Sequence, residues 1–293
     1  MDAQTRLSSG RLPVWLQRPP GSSSASREMK VMLRDSGLNT VCEEARCPNI
    51  AECFGRGTAT FMILGDVCTR GCRFCSVITG KPHFSPDKFA DEAEGVVKAT
   101  RKLGLRHVVV TSVARDDLED GGAEGFYLTI TRLREELPAV KVEVLVPDFQ
   151  GNMRSVERVI EAGPHVFNHN LETVPRLYRR VRPGASYRRS LEVLAAAKKA
   201  SPGVITKTGV MLGLGEEIAE LKELLQDARK ACVDSFTAGQ YMQPTRNHLP
   251  VERYLTPSEF LSISNMATAE GFRFVASSPL VRSSYNAEEL VNL

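Results

Sequence analysis

The chain has 293 residues, of which 42% are hydrophobic and 25% charged, and its formal net charge at pH 7 is +3. This composition is ordinary for a globular protein, and so weak a basic balance gives no reason to expect a nucleic-acid partner. The sequence contains no apolar run long enough to cross a membrane, and its N-terminus lacks the apolar core of a secretory signal. We therefore expect a cytoplasmic protein with neither a nucleic acid nor a membrane as its partner.

Strand-like and helix-like segments alternate from about residue 58 onwards. Short apolar or β-branched runs predict strands at 59–65, 107–112, 141–147, 166–171, 204–212, 234–242 and 272–277. Amphipathic patterns predict helices at 91–103, 123–137, 153–162, 187–200, 216–231 and 257–270. Such alternation predicts a parallel sheet with right-handed crossovers.

About six β/α units are present, fewer than the eight of a complete barrel. We therefore predict an α/β fold built as a partial (β/α)6 TIM-type barrel with extensions at both ends. A doubly wound sheet also fits the alternation, but no G-x-G-x-x-G follows the first strand. We expect residues 1–53 to form an N-terminal extension, 54–271 the barrel and 272–293 a C-terminal extension. In a barrel, the segments that follow the strands carry the active site.

Three cysteines follow the first predicted strand in the segment GDVCTRGCRFC, namely Cys68, Cys72 and Cys75. Three thiolates on one tight loop can bind three irons of a four-iron cluster and leave the fourth iron open for another ligand. The alternative is a zinc loop, but zinc usually takes four ligands and this loop offers no fourth. An open metal position is a property of catalytic sites, so we predict that these cysteines hold a catalytic iron–sulfur cluster.

A second group of three cysteines lies upstream in the segment VCEEARCPNIAEC, at Cys42, Cys47 and Cys53. The chain is too large to depend on disulfides and has no secretory signal, so metal ligation in a reducing compartment is the better interpretation. Buried apolar cysteines are the alternative, although structural cysteines are rarely grouped so closely.

The spacing C-x-x-x-C-x-x-C, with Phe74 before its last cysteine, resembles the signature of the radical SAM superfamily, whose members use S-adenosylmethionine (SAM). The longer segment NTVCEEARCPNIAECFGRGTATFMILGDVCTRGCRFC resembles the lipoyl synthase family throughout, and an Arg-Ser-Ser-Tyr motif of that family occupies 282–285. The resemblance covers the chain from about Leu12 to Tyr285. It implies two 4Fe–4S clusters, one held by Cys68, Cys72 and Cys75 and an auxiliary one held by Cys42, Cys47, Cys53 and Ser283.

The resemblance also implies a reaction. Members of the lipoyl synthase family insert two sulfur atoms, at the sixth and eighth carbons, into an octanoyl chain that is amide-linked to a lysine of a carrier protein. Two SAM molecules supply radicals, and the auxiliary cluster is consumed as the sulfur source. Ser283 is therefore expected to be catalytic, as are the cysteines of the first cluster. A serine oxygen is a harder ligand than a thiolate, so it would hold its iron less firmly and let the cluster release sulfide.

Several segments that follow the predicted strands also resemble the family, and we expect them to contact SAM. The expected contacts are Phe74, Ser112, Asn170, Glu172, Gly213, Gly215, Tyr241 and Met242. Simpler alternatives exist: glycines after a strand often only make the turn, and Asp116 and Asp117 fit helix caps. His165 and His169 have no further metal-ligand pattern beside them, so we assign them no metal, and Cys232 is expected in the core.

The resemblance further implies partners. These are octanoylated carrier proteins (the lipoyl domains of dehydrogenase E2 subunits and the glycine cleavage H protein), a ferredoxin or flavodoxin as electron donor, and iron–sulfur assembly proteins. The strongly basic segment 176–190 fits either a solvated surface or a face for an acidic protein substrate. The nearest alternative function is radical SAM sulfur insertion into another substrate. An iron–sulfur carrier or a zinc-binding module is a non-enzymatic alternative, for which a large barrel would be excessive.

Overall fold

A computed structural model describes residues 12–17, 39–40, 49, 52–53 and 57–284. Its strands are β1 (Asn39–Thr40), β2 (Thr58–Ile63), β3 (Val67–Cys68), β4 (Ile78–Thr79), β5 (His107–Ser112), β6 (Lys141–Leu145), β7 (Val166–Asn168), β8 (Ile205–Leu212), β9 (Ser235–Gln240) and β10 (Phe274–Ser277). Its α-helices are α1 (Phe89–Lys102), α2 (Ala123–Glu136), α3 (Met153–Glu161), α4 (Tyr178–Val181), α5 (Tyr187–Ala200), α6 (Ile218–Lys230) and α7 (Pro257–Ala269).

The central sheet has the strand order β1-β2-β5-β6-β7-β8-β9-β10. Strands β2 and β5 to β10 run parallel to one another, whereas β1 is antiparallel to β2. At least one helix follows every parallel strand except β10 in the described part of the chain. Strands β1 and β10 are the two edges of this sheet. The fold is therefore an open, partial TIM-type barrel, which confirms the class predicted from the alternation.

The two faces of the sheet differ in chemistry because alternate side chains of a strand point to opposite faces. Toward the helices the strands contribute apolar side chains, among them Phe61 and Phe167 in one core and Leu212 and Phe236 in a second. The helices pack their apolar residues against this face. Burial of this apolar surface is the main source of stability for the barrel wall.

The opposite face lies inside the partial barrel and carries polar side chains. Lys207 Nζ lies 2.9 Å from Glu143 Oε1, and Asn168 Nδ2 donates to the same oxygen at 3.2 Å. Burial alone would raise the pKa of Glu143, but the Lys207 ammonium and the adjacent His107 lower it overall. Removing either partner of this pair would leave a buried charge uncompensated, so these side chains link β6, β7 and β8 from within.

The predicted helices and long strands agree with the structure to within a few residues. Helix α5 coincides with the predicted range 187–200, and the Ser186 side chain caps it by accepting from the Arg189 N–H at 3.4 Å. The sequence does not predict β1, β3 and β4, because a strand of two residues has no alternation to detect.

One minor expectation, for Cys232, is wrong, and the alternative role of Asp116 and Asp117 does not hold for α2. Cys232 is exposed in the turn after α6, not buried in the core. Asp116 and Asp117 do not cap α2. Asp120 provides the cap by accepting from the N–H groups of Gly122 and Glu124 at 2.9 and 2.8 Å.

The N-terminal segment contacts both the barrel and the C-terminal segment. Trp15 Nε1 donates to the Leu255 carbonyl at 3.0 Å, and Asn49 Nδ2 donates to the Leu280 carbonyl at 2.7 Å. The division of the chain into a barrel and two extensions stays a prediction. In the described part of the chain, no helix has the length and apolar character that crossing a membrane requires.

Candidate active site

The loop that carries Cys68, Cys72 and Cys75 follows β2 and closes on itself. Cys68 ends β3 and pairs with Thr79 of β4, and the Gly80 N–H donates to the Cys68 carbonyl at 2.9 Å. Within the loop the Cys75 N–H donates to the Cys72 carbonyl at 3.0 Å. All three cysteines are free thiols and partly buried. The short parallel pair of β3 and β4 therefore holds the three thiols on one compact turn.

Segments that follow three other strands anchor this loop. Thr69 donates twice to the Ala114 carbonyl after β5, from its N–H at 3.1 Å and from Oγ1 at 3.0 Å. The Arg73 N–H donates to the Val181 carbonyl at the end of α4 at 2.9 Å, and its carbonyl accepts from Leu249 at 3.1 Å. Such hydrogen bonds fix the loop before any ligand binds.

A buried ion network adds a second anchor. Arg70 lies between Cys68 and Cys72, and its side chain is only 8% exposed. Its guanidinium contacts Asp116 Oδ2 through Nε and Asp148 Oδ1 through Nη2, both at 2.6 Å. Burial alone would raise the pKa of Asp148, but Arg70 lowers it overall. The sequence gives no sign of this network, because its members are separated by dozens of residues.

The thiols of the loop fit a cluster rather than a single ion. Burial raises the pKa of Cys75 to about 11 and also raises that of Cys72; Cys68 and Cys72 raise the pKa of Cys75 further, and Cys68 raises that of Cys72. The N–H groups of Arg70 and Ala114 point at Cys68 Sγ, at 3.4 and 3.3 Å. Among the described residues, no three His, Cys, Asp or Glu side chains surround one ion position. In a 4Fe–4S cluster each thiolate binds a different iron, so three thiolates need not meet at a point.

The segment after β7 contributes Asn170 and Glu172. Glu172 has φ of 66°, an unusual value for a residue with a side chain, and it rejoins β8 through hydrogen bonds with Gly209 and Met211. Asn170 Nδ2 donates to Glu172 Oε1 at 3.1 Å. Burial raises the pKa of Glu172, although Arg182 and Asn170 oppose the shift. The strained turn thus brings a carboxyl and an amide together at the end of the strand.

Arg182, which the sequence does not single out, holds this turn through hydrogen bonds. Its Nη1 donates to the Asn170 carbonyl at 2.8 Å and to Tyr178 Oη at 3.1 Å. Its charge lowers the pKa of Cys72, although the opposing effect of burial is larger. Arg182 Nε, Asn170 Oδ1 and Ser112 Oγ are buried without a hydrogen-bond partner among the described residues. Buried polar atoms are normally paired, so these three atoms are available to a polar ligand.

Ser283 lies against the same turn. Asn170 Nδ2 donates to Ser283 Oγ at 2.7 Å. The C-terminal segment that carries this serine is held on β9, where the Gln240 N–H donates to the Pro279 carbonyl at 3.1 Å. Position 239 must be glycine, because a Cβ there would collide with the Val281 carbonyl oxygen. The sheet thus offers a groove that seats the C-terminal segment.

The described part of the second cysteine group approaches this C-terminal segment. The Cys53 N–H donates to the Asn49 carbonyl at 2.9 Å, and Asn49 in turn binds the Leu280 carbonyl, three residues before Ser283. Asn49 is 1% exposed and Leu280 is half-buried, so this contact is partly buried. Cys42, Cys47 and Tyr285 lie outside the described residues. The two ends of the chain therefore meet where the auxiliary ligands are predicted.

The other residues predicted to contact SAM differ in their burial and backbone conformation. Phe74 is partly buried against the second core. Gly213 and Gly215 have φ of 98° and 104°, and a Cβ at Gly213 would collide with the Gln240 amide. Met242 is partly buried. Tyr241 is 1% exposed and donates from Oη to the Leu249 carbonyl at 2.8 Å, so its burial argues against contact between its ring and SAM. These assignments stay predictions.

Known proteins share the sequence pattern and the fold of this chain. A sequence model of the radical SAM superfamily matches residues 62–228. The structure resembles that of a maturase of the FeFe-hydrogenase (TM-score 0.57, 11% identity, covering 86% of this chain and 68% of the other). It also resembles Streptococcus suis SuiB bound to SAM (TM-score 0.56, 13% identity, covering 85% and 60%). At such identities the two structures support the fold alone. The fold, the cysteine loop and the family match together define a radical SAM protein.

Two relatives narrow the class. The chain is 52% identical over 286 residues to the lipoyl synthase of Rubrobacter xylanophilus, covering 98% of this chain and 88% of the relative. It is 54% identical over 280 residues to the lipoyl synthase of Methylococcus capsulatus, covering 95% and 86%. The chain belongs to the lipoyl synthase family.

Proposed function

We propose that this chain inserts two sulfur atoms, at the sixth and eighth carbons, into an octanoyl chain amide-linked to a lysine of a carrier protein, forming the lipoyl group. The observation that carries the proposal is the hydrogen bond of 2.7 Å between Asn170 Nδ2 and Ser283 Oγ. It supports a site in which a residue expected to bind SAM directly contacts a predicted ligand of the sulfur-donating cluster. Sulfur insertion requires this proximity, because the radical carbon must meet the sulfur atom.

When bound, SAM and the first cluster supply a radical that removes hydrogen from an unactivated carbon, and the auxiliary cluster supplies sulfur. Cys68, Cys72 and Cys75 would hold the first cluster and leave one iron for SAM. Ser283 would complete the auxiliary cluster. The ligands that join it there are Cys42, Cys47 and Cys53.

The remaining residues position and shield the reactants. Asn170 Oδ1 is a buried acceptor without a partner among the described residues, which suits a ribose hydroxyl or the methionyl amine of SAM. Glu172 would bind the same part of SAM, and Arg182 would hold the turn that carries both residues. Arg70 would keep the cysteine loop in place through Asp116 and Asp148. The low exposure of these groups would keep water away from the radical.

The substrates would be octanoylated lipoyl domains of dehydrogenase E2 subunits and the glycine cleavage H protein. A ferredoxin or flavodoxin would supply electrons, and iron–sulfur assembly proteins would rebuild the auxiliary cluster. A cytoplasmic location suits these partners. The barrel of residues 54–271 would carry SAM, and the extensions 1–53 and 272–293 would carry the auxiliary cluster.

The proposal is tested with the anaerobically reconstituted protein, SAM, dithionite and an octanoyl-lysyl peptide, with products read by mass spectrometry. We expect 5′-deoxyadenosine and a peptide that has gained two sulfur atoms. Protein loaded with 34S-sulfide should transfer the heavy isotope to the peptide. If 5′-deoxyadenosine forms while the peptide and an octanoylated H protein both gain no sulfur, the substrate assignment is wrong and a different sulfur acceptor must be sought.

A further inference from the structure

Three segments of the chain carry many cations and no carboxylate. They are 69–82, 174–191 and 241–251. Together they hold Arg70, Arg73, Lys81, Arg176, Arg179, Arg180, Arg182, Arg188, Arg189 and Arg246, without one Asp or Glu. The whole chain has a formal charge of only +3, so positive charge is concentrated in these segments.

The three segments meet at the cysteine loop. The first contains the loop itself, and the Arg73 N–H donates to the Val181 carbonyl of the second segment at 2.9 Å. The third segment binds the loop twice: Leu249 donates its N–H to the Arg73 carbonyl at 3.1 Å, and the His248 ring lies 2.9 Å from the Cys75 carbonyl. The concentrated charge therefore surrounds the thiols that are predicted to hold the first cluster.

Not all of these cations are available to a partner. Arg70 and Arg182 are buried, and other arginines of these segments form ion pairs with Glu220, Glu252, Glu192 and Asp148. Arg73, Arg179 and Arg246 are exposed, and their side chains have no ion pair or hydrogen bond within the described structure. We call these three residues the cationic rim. Of its three members, Arg73 directly follows Cys72, and Arg179 and Arg246 lie on segments that are hydrogen-bonded to the cysteine loop.

We propose that the cationic rim docks an acidic one-electron carrier protein, which reduces the cluster held by Cys68, Cys72 and Cys75. The inference rests on the proposed function, because only a radical SAM site needs this electron. The carrier is oxidised by one electron for each SAM cleaved. That electron breaks the C5′–S bond of SAM, which releases methionine and leaves a 5′-deoxyadenosyl radical. The radical then takes one hydrogen atom from the substrate and becomes 5′-deoxyadenosine.

An electron carrier fits the rim better than the acidic domain of a substrate does. Arg73 directly follows Cys72 and is separated from Cys75 by Phe74 alone, so an electron carrier bound at Arg73 lies beside the loop that is predicted to hold the cluster. The residues predicted to face SAM and sulfur, such as Asn170 and Ser283, are instead buried or partly buried. Opposite charges on two protein surfaces speed the association of the two proteins, and salt weakens this attraction.

The test uses the full chain with Arg179→Glu and Arg246→Glu combined, which leaves the cysteine loop itself unchanged. Production of 5′-deoxyadenosine is measured with SAM and the octanoyl-lysyl peptide, driven either by a reduced ferredoxin or by dithionite. With ferredoxin at low salt we expect kcat/KM for ferredoxin to fall at least tenfold. We also expect this kcat/KM to depend less steeply on salt concentration than in the parent protein. With dithionite we expect a rate within twofold of the parent protein.

The control is Arg154→Glu combined with Lys222→Glu, which makes the same charge change at exposed positions outside the three segments. It should leave both rates unchanged, and a loss with ferredoxin as large as that of the rim variant would overturn the proposal. Equal losses with ferredoxin and dithionite in the rim variant would also overturn it, because the arginines would then support the fold or the cluster.

A third result would overturn the proposal and would indicate that the cationic rim binds the octanoylated substrate protein. In that case ferredoxin-driven rates stay normal, while the KM for an octanoylated H protein rises and that for the peptide does not. Failure of the proposed function is separate, because the parent protein with dithionite would then add no sulfur to either substrate.

Discussion

The two cysteine groups of this chain are built in opposite ways. Cys68, Cys72 and Cys75 lie on one continuous loop, closed by β3 and β4 and fixed by backbone hydrogen bonds and by Arg70. The proposed auxiliary site draws its ligands from the two ends of the chain. Its described contacts include two side-chain hydrogen bonds, Asn49 to Leu280 and Asn170 to Ser283, the first of which joins residues 231 positions apart. The first site belongs to the barrel, whereas the second depends on the ends being brought together.

This difference matches the different use proposed for the two clusters. A cluster that transfers electrons is kept through every turnover, so a site fixed by the fold suits it. A cluster that is consumed must be opened and rebuilt. A site made from chain ends and closed by one oxygen ligand can release iron and sulfide without disturbing the barrel. Asn170 is the residue that touches both sites, since it is predicted to bind SAM and it donates to Ser283.

The largest effect is expected from Cys72→Ala. The loop keeps its backbone hydrogen bonds, but two thiolates cannot hold the first cluster. Production of 5′-deoxyadenosine should therefore fall on the order of 1,000-fold, equivalent to about 4 kcal/mol in the barrier. Iron analysis should show roughly half of the parent content, because the auxiliary cluster remains.

Cys232→Ala is the matched control for Cys72→Ala, since this exposed cysteine lies far from both groups in sequence and outside the loop. It should keep full iron content and activity. If Cys72→Ala also removed the auxiliary cluster, the two sites would not be independent and the comparison would fail.

The next effect is expected from Ser283→Cys, which gives the auxiliary cluster four thiolates. A thiolate holds iron more firmly than a hydroxyl oxygen does, so the cluster should assemble but resist opening. Iron content and 5′-deoxyadenosine production should stay within about threefold of the parent, while sulfur transfer falls at least roughly tenfold, about 1.4 kcal/mol. Mössbauer spectroscopy and peptide mass spectrometry measure the two quantities. Sulfur transfer at the parent rate would contradict a releasing role for the serine.

Asn170→Ala tests the contact between Asn170 and Ser283, which joins the two proposed sites. The variant loses a buried acceptor predicted for SAM and the donor to Ser283. We expect the Kd for SAM to rise about tenfold, the size of one well-placed hydrogen bond. More 5′-deoxyadenosine should also form for each sulfur inserted. Ser283→Ala removes the same contact from the other side and should leave SAM binding, measured by calorimetry, nearly unchanged. Equal losses in the two variants would show that Asn170 acts on SAM only through the serine.

The sequence predicts the barrel well because long strands and helices have clear periods, and α5 illustrates this. It also locates both cysteine groups, since spacing alone identifies them. It misses Arg70, Asp148 and Arg182, because a buried ion pair depends on how distant segments fold together. The assignment of Tyr241 to the SAM site stays a prediction, although the ring packs in the second core.

The smallest effect concerns the entrance to the cysteine loop. Leu64 has φ of 69°, and its N–H donates to both carboxylate oxygens of Glu92 in α1, at 3.1 and 2.9 Å. Burial raises the pKa of Glu92 to about 7. The unfolded chain loses this proton near pH 4.5, its ordinary value. The folded state therefore retains a proton between these pH values that the unfolded chain has released, and its stability falls as pH rises from about 4.5 to about 7.

Glu92→Gln cannot titrate and keeps one acceptor for Leu64. Its thermal midpoint, measured anaerobically, should gain about 2–4 °C on the parent between pH 5 and pH 8. Glu94→Gln on the same helix is the control. The pKa of the half-buried Glu94 is lowered by hydrogen bonding to Arg132, so that variant should show no such gain. A difference between Glu92→Gln and the parent that is the same at both pH values would mean that the loop entrance carries no buried charge. The rigidity of the first site would then rest on its backbone hydrogen bonds and on Arg70 alone.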